Sequence, residues 1–386
     1  MSTNSAVPSL VSMMDRLIAT PSVSSVLPQH DQSNLAVVEL LSGWLRRLGF
    51  KVDILPVAEN PGKFNLIAVL GRGSEGLVLA GHTDTVPFNP ELWDADPFQL
   101  VEKNQRLYGL GTCDMKGFFP LVLEAARSFE SQDLDHPLII MATADEESTM
   151  SGARALEAAE LCHARAAVIG EPTDLRPVFQ HKGIMMLSVQ VAGHSGHSSD
   201  PALGNSALDA MSPVIASLLD YRLELQDKFQ NLAFHVPHPT LNLGCIQGGD
   251  NPNRICASVQ LEIDVRILPG MDNAQVQQEL DARLQPILSE RDLSLNVELL
   301  HPAVPPFENQ PDSPLLAATE SLTGVDRCSV AFASEAPYLQ KLGMDTVLLG
   351  PGNINQAHQP NEFVELKQLQ PTIDIIRQLI HRYCCK

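Results

Sequence analysis

Two histidines and three acidic residues, His82, Asp114, Glu147, Glu171 and His358, sit in short polar clusters spread along the chain. The clusters read GHTDTVP (81–87), YGLGTCDMKG (108–117), ADEES (144–148), GEP (170–172) and GPGNINQAHQP (350–360). Imidazole nitrogen and carboxylate oxygen are the donors that zinc accepts in catalytic sites, which keep one position open for water. Two metal ions held side by side need a shared carboxylate, and Asp114 is the candidate bridge. His82 with Glu171 would then complete one ion's shell, and Glu147 with His358 the other's. Asp84 lies two residues beyond His82, so on extended chain it can point the same way and hold the imidazole. Glu146 and Glu147 are adjacent, and neighbours on an extended segment point apart. Glu147 is therefore given to metal, and Glu146 faces the water as general base. Together these residues point to hydrolysis by a metal-activated water.

Four of the clusters follow apolar runs of strand length: Gly76–Ala80, Pro137–Thr143, Ala166–Ile169 and Thr346–Leu349. Phe64–Leu70 is a further strand candidate. Helix-like stretches lie at 8–20, 33–49, 117–130 and 150–162. Apolar strands alternating with helices predict an α/β domain, a largely parallel sheet with helices on both faces. In such sheets ligands collect at the carboxyl ends of the strands, which would bring the clusters into one crevice. Between about 183 and 303 the pattern changes. A strand at Ile184–Val191, a helix at 205–220, strands at Leu241–Ile246 and Ile255–Ile267, a helix at 273–289 and a strand at 294–300 give the order β-α-β-β-α-β. This predicts an inserted α+β domain at 183–303, with 1–182 and 304–386 forming one discontinuous catalytic domain.

Each cluster alone has an ordinary reading. HxD can be a turn, DMKG an N-cap, the Glu pair the acidic first turn of a helix, Glu171 a turn residue and His358 a surface histidine. Five such clusters, placed at strand ends or a helix start, are poorly explained that way. A glycosidase would also need paired carboxylates, but it needs no histidines and would want sugar-stacking aromatics; only two tryptophans occur. A binding protein without catalysis would not need Glu146 beside a full ligand set.

With 44% hydrophobic and 19% charged residues the chain can bury a core, and its 386 residues suit two or three domains. The formal net charge of −20 repels nucleic acids and anionic membranes. No apolar run approaches the ~20 residues of a membrane helix. Seven scattered cysteines form no CxxC pair, which fits a reducing compartment. The opening MSTNSAVPSL lacks a basic stretch followed by an apolar one, so no secretory signal is expected and the expected location is the cytoplasm.

The spaced set GHTDTVP, GLGTCDMKG, TADEES, IGEP, GHSGHSSDP (193–201) and INQAHQP resembles the family of zinc aminoacylases and carboxypeptidases. The resemblance implies two zinc ions per subunit, with cobalt able to replace them. It implies metal ligands at His82, Asp114, Glu147, Glu171 and His358, and Glu146 as base. It also implies that the inserted domain acts as a lid through which two subunits pair, and that His197 of the lid reaches the partner subunit's site. His194 reads as a local loop histidine. Asn253 and Arg266 are expected to meet the substrate carboxylate, against alternatives of a loop cap and a surface ion pair. Glu335, in SEAP (334–337), is expected at a substrate ammonium or else at a helix start. Cys256 stands where many relatives have proline, which favours the branch that removes acetyl groups over the desuccinylases. The implied substrate is an N-acyl amino acid, N2-acetylornithine first among them.

Overall fold

The computed structural model describes residues 7–385. The first six residues, on which the expectation of no secretory signal partly rests, lie outside the described residues. In chain order the elements are α1 (Leu10–Ile18), α2 (Leu35–Arg47), β1 (Lys51–Pro56), β2 (Phe64–Leu70), β3 (Leu77–His82), β4 (Val101–Lys103), β5 (Arg106–Tyr108), α3 (Phe118–Ala126), β6 (Leu138–Thr143), α4 (Ser151–Arg154), β7 (Ala166–Pro172) and β8 (Val178–His181). They continue with β9 (Gly183–Ala192), α5 (Ala207–Lys228), β10 (Thr240–Gly248), β11 (Ser258–Ile267), α6 (Asn273–Ser289), β12 (Ser294–Leu299) and β13 (Phe307–Glu308). The last are α7 (Pro314–Thr323), β14 (Cys328–Val330), α8 (Ala336–Lys341), β15 (Asp345–Gly350), β16 (Phe363–Glu365) and α9 (Leu366–Cys384).

The chain divides into two compact units. One holds the chain up to Phe179, Asn309–Cys328 and the chain from Ser334; the other holds Gln180–Glu308 and Ser329–Ala333. The expected boundaries, at 182/183 and 303/304, fall a few residues from these.

In the first unit the strands run β1-β2-β6-β3-β7-β15-β8 across one sheet. The centre, β6-β3-β7-β15, is parallel. β1 and β2 extend it antiparallel on one side, and β8 does so on the other. Every residue of β3, β6 and β7 is buried, as central parallel strands covered on both faces require. Leu79, Ile140, Val168 and Val347 pack with Leu17 of α1, Leu41 of α2, Phe118 of α3 and Ile376 of α9 in one apolar core. A small antiparallel sheet, β16-β5-β4, stands apart; the sequence reading missed it.

In the parallel register His82 lies beside Thr143, and Ala80 beside Ile169, so the carboxyl ends of β3, β6 and β7 align at one edge. The helix expected at 150–162 is only the four residues of α4. The buried apolar residues that follow, Leu156 and Leu161, are five apart and cannot share a helix face. Cys162 and His163 both take positive φ, which ends any helix there.

The second unit has its own four-stranded antiparallel sheet, β10-β11-β9-β12. Buried residues alternate along β11, so one face meets a core. Val259, Leu261 and Ile263 of that face pack with Ala210, Val214 and Leu218 of α5 and Leu280 and Leu284 of α6. Ser206 and Asp272 cap these helices by accepting from the N–H of Asp209 and Gln275. The order from β9 to β12 is the β-α-β-β-α-β read from the sequence.

Candidate metal centre

His82 closes β3, and Glu171 is the next-to-last residue of β7. Glu146 and Glu147 lie in the turn after β6, and His358 in the loop after β15. Asp114 lies in the loop that leads from β5 into α3. All belong to the first unit.

The geometry centres on Asp114. Its Oδ1 lies 3.0 Å from Nε2 of His82, and its Oδ2 lies 3.5 Å from Nε2 of His358. His358 Nε2 also lies 3.0 Å from Oε2 of Glu147. Ligand atoms of His82, Asp114 and Glu147 all lie within 4.8 Å of one another, a group able to hold metal. Glu146 places Oε2 4.0 Å from His82 Nε2. Glu171 is buried, and its Oε1 has no hydrogen-bond partner. A buried carboxylate oxygen left bare is costly unless a cation meets it. His82 is 1% exposed and His358 53% exposed, so one end of the constellation is sealed and the other open.

Charge gives the same answer. Asp84, Asp114, Glu146, Glu147, Glu171 and Glu335 all act electrostatically on His82. Burial pushes the Glu146 and Glu171 carboxyls well above the usual range, and neighbouring carboxylates add to the push. Burial pulls the His82 imidazole down, but the Asp114 hydrogen bond and the charges of Glu146, Asp114 and Asp84 carry it well above its ordinary value. Hydrogen bonds to Asp114 and Glu147 raise His358 to about 10. Six carboxyl groups around two imidazoles make a site that lacks positive charge. Divalent metal would supply what it lacks, and imidazole with carboxylate is a donor set that zinc accepts.

The turn after β6 corrects the reasoning about the Glu pair. Residues 146–149 form a turn, not extended chain. What separates the two carboxylates is therefore the turn geometry, fixed by Asp145. That buried carboxylate accepts from Ser24 Oγ at 2.7 Å, from Ser151 Oγ at 2.8 Å and from Thr149 Oγ1. Asp84 is also placed differently from expectation. Nδ1 of His82 donates to the main-chain carbonyl of Asp84 at 3.0 Å, while the carboxylate oxygen stands 3.8 Å away. The carboxylate accepts instead from the N–H of Glu147 at 3.0 Å. Asp84 thus takes the Nδ1 proton of His82 and turns Nε2 toward Asp114, and it also ties the Glu147 turn to β3.

Gly170, beside Glu171, has no room for a side chain: a Cβ there would stand 2.3 Å from the Phe118 ring. This contact seats the start of α3, and with it the Asp114 loop, against β7. Lys116, fully buried, donates to the carbonyls of Leu17 and Thr20 at the end of α1, 2.9 Å each. Sequence reasoning passed over Asp145, Lys116 and Glu362. The one visible signal for each was an ionisable residue next to a ligand motif.

Glu335 precedes α8, fully buried, and beyond an interaction with the Thr143 hydroxyl its carboxylate has no close hydrogen-bond partner. Burial pushes it up to about 7. It stands at the N-cap of α8, the helix start that was its alternative, but its side chain makes no cap bond.

The other expected residues lie in the second unit. His197 is exposed; its Nδ1 accepts from the Ser199 N–H at 3.2 Å, so the neutral ring carries its proton on Nε2. His194 pairs with Asn205 through the main chain. Asn253 is exposed in the loop between β10 and β11, and its carbonyl accepts from Ser198 N–H at 3.1 Å. Arg266, on β11, donates from Nε to Asp264 at 2.8 Å, the surface ion pair held open as its alternative.

Residues 78–382 match the family described as peptidase family M20/M25/M40. Acetylornithine deacetylase of Proteus mirabilis (strain HI4320) is 45% identical over 381 residues, 99% of this chain and 98% of that protein. The crystal structure of aminopeptidase PepT from Bacillus cereus superposes with a TM-score of 0.75 at 19% identity, covering 97% of this chain and 98% of that one. The Bacillus subtilis YXEP protein, a dinuclear metal binding peptidase, superposes with a TM-score of 0.68 at 16% identity, covering 96% of each chain.

Proposed function

The chain belongs to peptidase family M20/M25/M40, and from that premise we propose that it hydrolyses N2-acetyl-L-ornithine to L-ornithine and acetate, a step of arginine biosynthesis. It is a metal-dependent amidohydrolase by family. The single observation that carries the site assignment is Asp114 standing between His82 and His358, one carboxylate oxygen toward each.

In this reading two zinc ions are held by His82 and Glu171 on one side and by Glu147 and His358 on the other, with Asp114 shared. Cobalt can take their place. Bound there, the metals would supply an acidified water and a Lewis acid for the acyl carbonyl. Glu146 takes the proton of the attacking water and passes it to the leaving amine. Burial raises the Glu146 carboxyl, a direction that favours taking up a proton. His197 offers its Nε2–H to the oxyanion. Asn253 and Arg266 receive the amino-acid carboxylate, and Glu335, a buried carboxylate short of a partner, receives the side-chain ammonium.

Two copies pair through the second unit, and His197 serves the partner's site. β10 is the outer strand of its sheet, and residues 244–248 are exposed. α5 exposes Leu208, Leu219 and Leu223. An open strand edge beside apolar helix positions supports pairing of like with like. A cytoplasmic location agrees with seven free cysteines, and no helix among the described residues is long and apolar enough to cross a membrane.

A substrate panel tests the assignment. Turnover of N2-acetylornithine should exceed that of acetylmethionine and succinyl-diaminopimelate. Chelation should abolish it, and zinc or cobalt should restore it. Preference for either of the other two substrates would make the chain a general aminoacylase or a desuccinylase. Full activity without metal would overturn the reading.

A further inference from the structure

One buried carboxylate outside the ligand set is built into the site with unusual completeness. Glu362, 1% exposed, lies just before β16. Its Oε1 accepts from the main-chain N–H of Gly111 at 3.1 Å, of Cys113 at 2.7 Å and of Asp114 at 3.0 Å. Its Oε2 lies 3.1 Å from the Gly111 nitrogen as well. The carboxylate therefore fills a concave cluster of amides in the loop that carries Asp114. Amides turned inward in this way find no partner in any helix or strand, and an acceptor oxygen is what such a cluster takes.

The position of Glu362 is itself fixed by backbone pairing. β16 runs antiparallel to β5, with Phe363 opposite Tyr108 and Val364 opposite Leu107. Just beyond this ladder the Glu362 carbonyl accepts from the Gly109 N–H at 3.0 Å. The ladder sets where the glutamate stands, and the glutamate sets where the amides of 111–114 point. Glu362 also lies four residues after His358. The loop that presents His358 thus holds the loop that presents Asp114.

We propose that Glu362 is a positioning residue that holds Asp114 in its bridging place and couples the Asp114 loop to the His358 loop. The inference rests on Asp114 being a metal ligand. What matters is the reach of an acceptor oxygen to the Cys113 and Asp114 amides, more than the charge it carries. Glutamine keeps that reach; aspartate keeps the charge but falls short by one methylene.

Zinc affinity of the purified full-length chain, measured by chelator competition, tests this in wild type, Glu362→Ala, Glu362→Gln and Glu362→Asp. Groups that orient metal ligands cost about 10–100-fold in affinity when removed. Ala and Asp variants should weaken zinc binding by that factor, while Gln stays within a few-fold of wild type. At saturating zinc, kcat should fall and KM should hold, since Glu362 is sealed behind the loop. A merely structural residue would lower the melting temperature of the metal-free protein and leave the zinc affinity of the folded chain unchanged, and that result overturns the proposal. Should the Ala chain not fold, the Gln and Asp variants decide: wild-type affinity in Asp with loss in Gln overturns it. Wild type that binds no zinc would instead defeat the metal reading on which it stands.

Discussion

Adding one carbon at Gly170 tests whether β7 and the Asp114 loop are seated on each other. An alanine Cβ there would lie 2.3 Å from Cδ1 and Cγ of Phe118 and 2.5 Å from Cδ2, where ordinary contact begins near 3.4 Å. The ring and the strand must part by roughly 1 Å. Phe118 cannot yield freely, because it is 2% exposed and its helix packs into the main core. Overpacking of this kind costs about 1–3 kcal/mol. The displacement also falls on the site: Glu171 follows Gly170, and Phe118 begins the helix after Asp114. A shift of ~1 Å in a catalytic group is worth about 100-fold in rate. Gly170→Ala should therefore unfold at lower urea, with a stability loss of about 2 kcal/mol, and lose most of its turnover. Combining it with Phe118→Val, which removes the obstructing ring, should destabilise less than the sum of the two single changes. Urea unfolding and steady-state rates on the four proteins decide it. A Gly170→Ala chain with wild-type stability and turnover would refute the reasoning, as would strictly additive behaviour of the pair.

Glu146→Gln should keep its zinc content while turnover drops by about 100-fold or more, the scale of a lost general base; wild-type rates would remove it from that role. His197→Ala should be nearly inactive alone, but mixing its subunits with Glu146→Gln subunits should restore part of the activity, because one kind of site in the heterodimer then has both groups intact. No rescue in verified heterodimers would place His197 in its own subunit's site. His181 is fully buried, and burial lowers its pKa from the ordinary 6.5 to about 4. Its folded value lies below its unfolded one, so the stability it allows is complete above pH 6.5 and is lost as pH falls toward 4. The loss is about 3 kcal/mol. Urea unfolding of metal-free His181→Leu should accordingly fall less between pH 7 and 4.5 than wild type does; equal slopes would show that His181 takes no part in acid sensitivity.

Most of the cluster of candidate residues was legible because its signals are local. An apolar run ending in a polar cluster marks a strand end, and a parallel sheet gathers its strand ends at one edge. His82, Glu171 and His358 obey that logic. The inserted unit was legible from periodicity, since β9 and β11 alternate and α5 and α6 carry clear caps. What the sequence hid depends on backbone direction. Nothing in GHTDTVP says that the Asp84 carbonyl, more than its carboxylate, would meet His82. Nothing in ADEES says that Asp145 would bend the chain and place Glu146 and Glu147 from a turn. Glu362 is a carboxylate whose partners are amides, and amides carry no sequence signature. The stretch after Arg154 failed for a simpler reason: its composition suits a helix, but its buried residues do not keep helical spacing.

The second unit's place in the chain has a consequence for synthesis. β7 is made early, yet its parallel neighbour β15 begins about 170 residues later, after the whole second unit has been translated. At ~5–20 residues per second the ribosome needs on the order of 10–40 s to cover that distance. Throughout that time the apolar stretch AAVI has an open hydrogen-bonding edge. Nascent chains on one message would be able to join at that edge. Slow codons within the second unit should therefore lower the yield of folded protein, even though they change no residue of the finished enzyme.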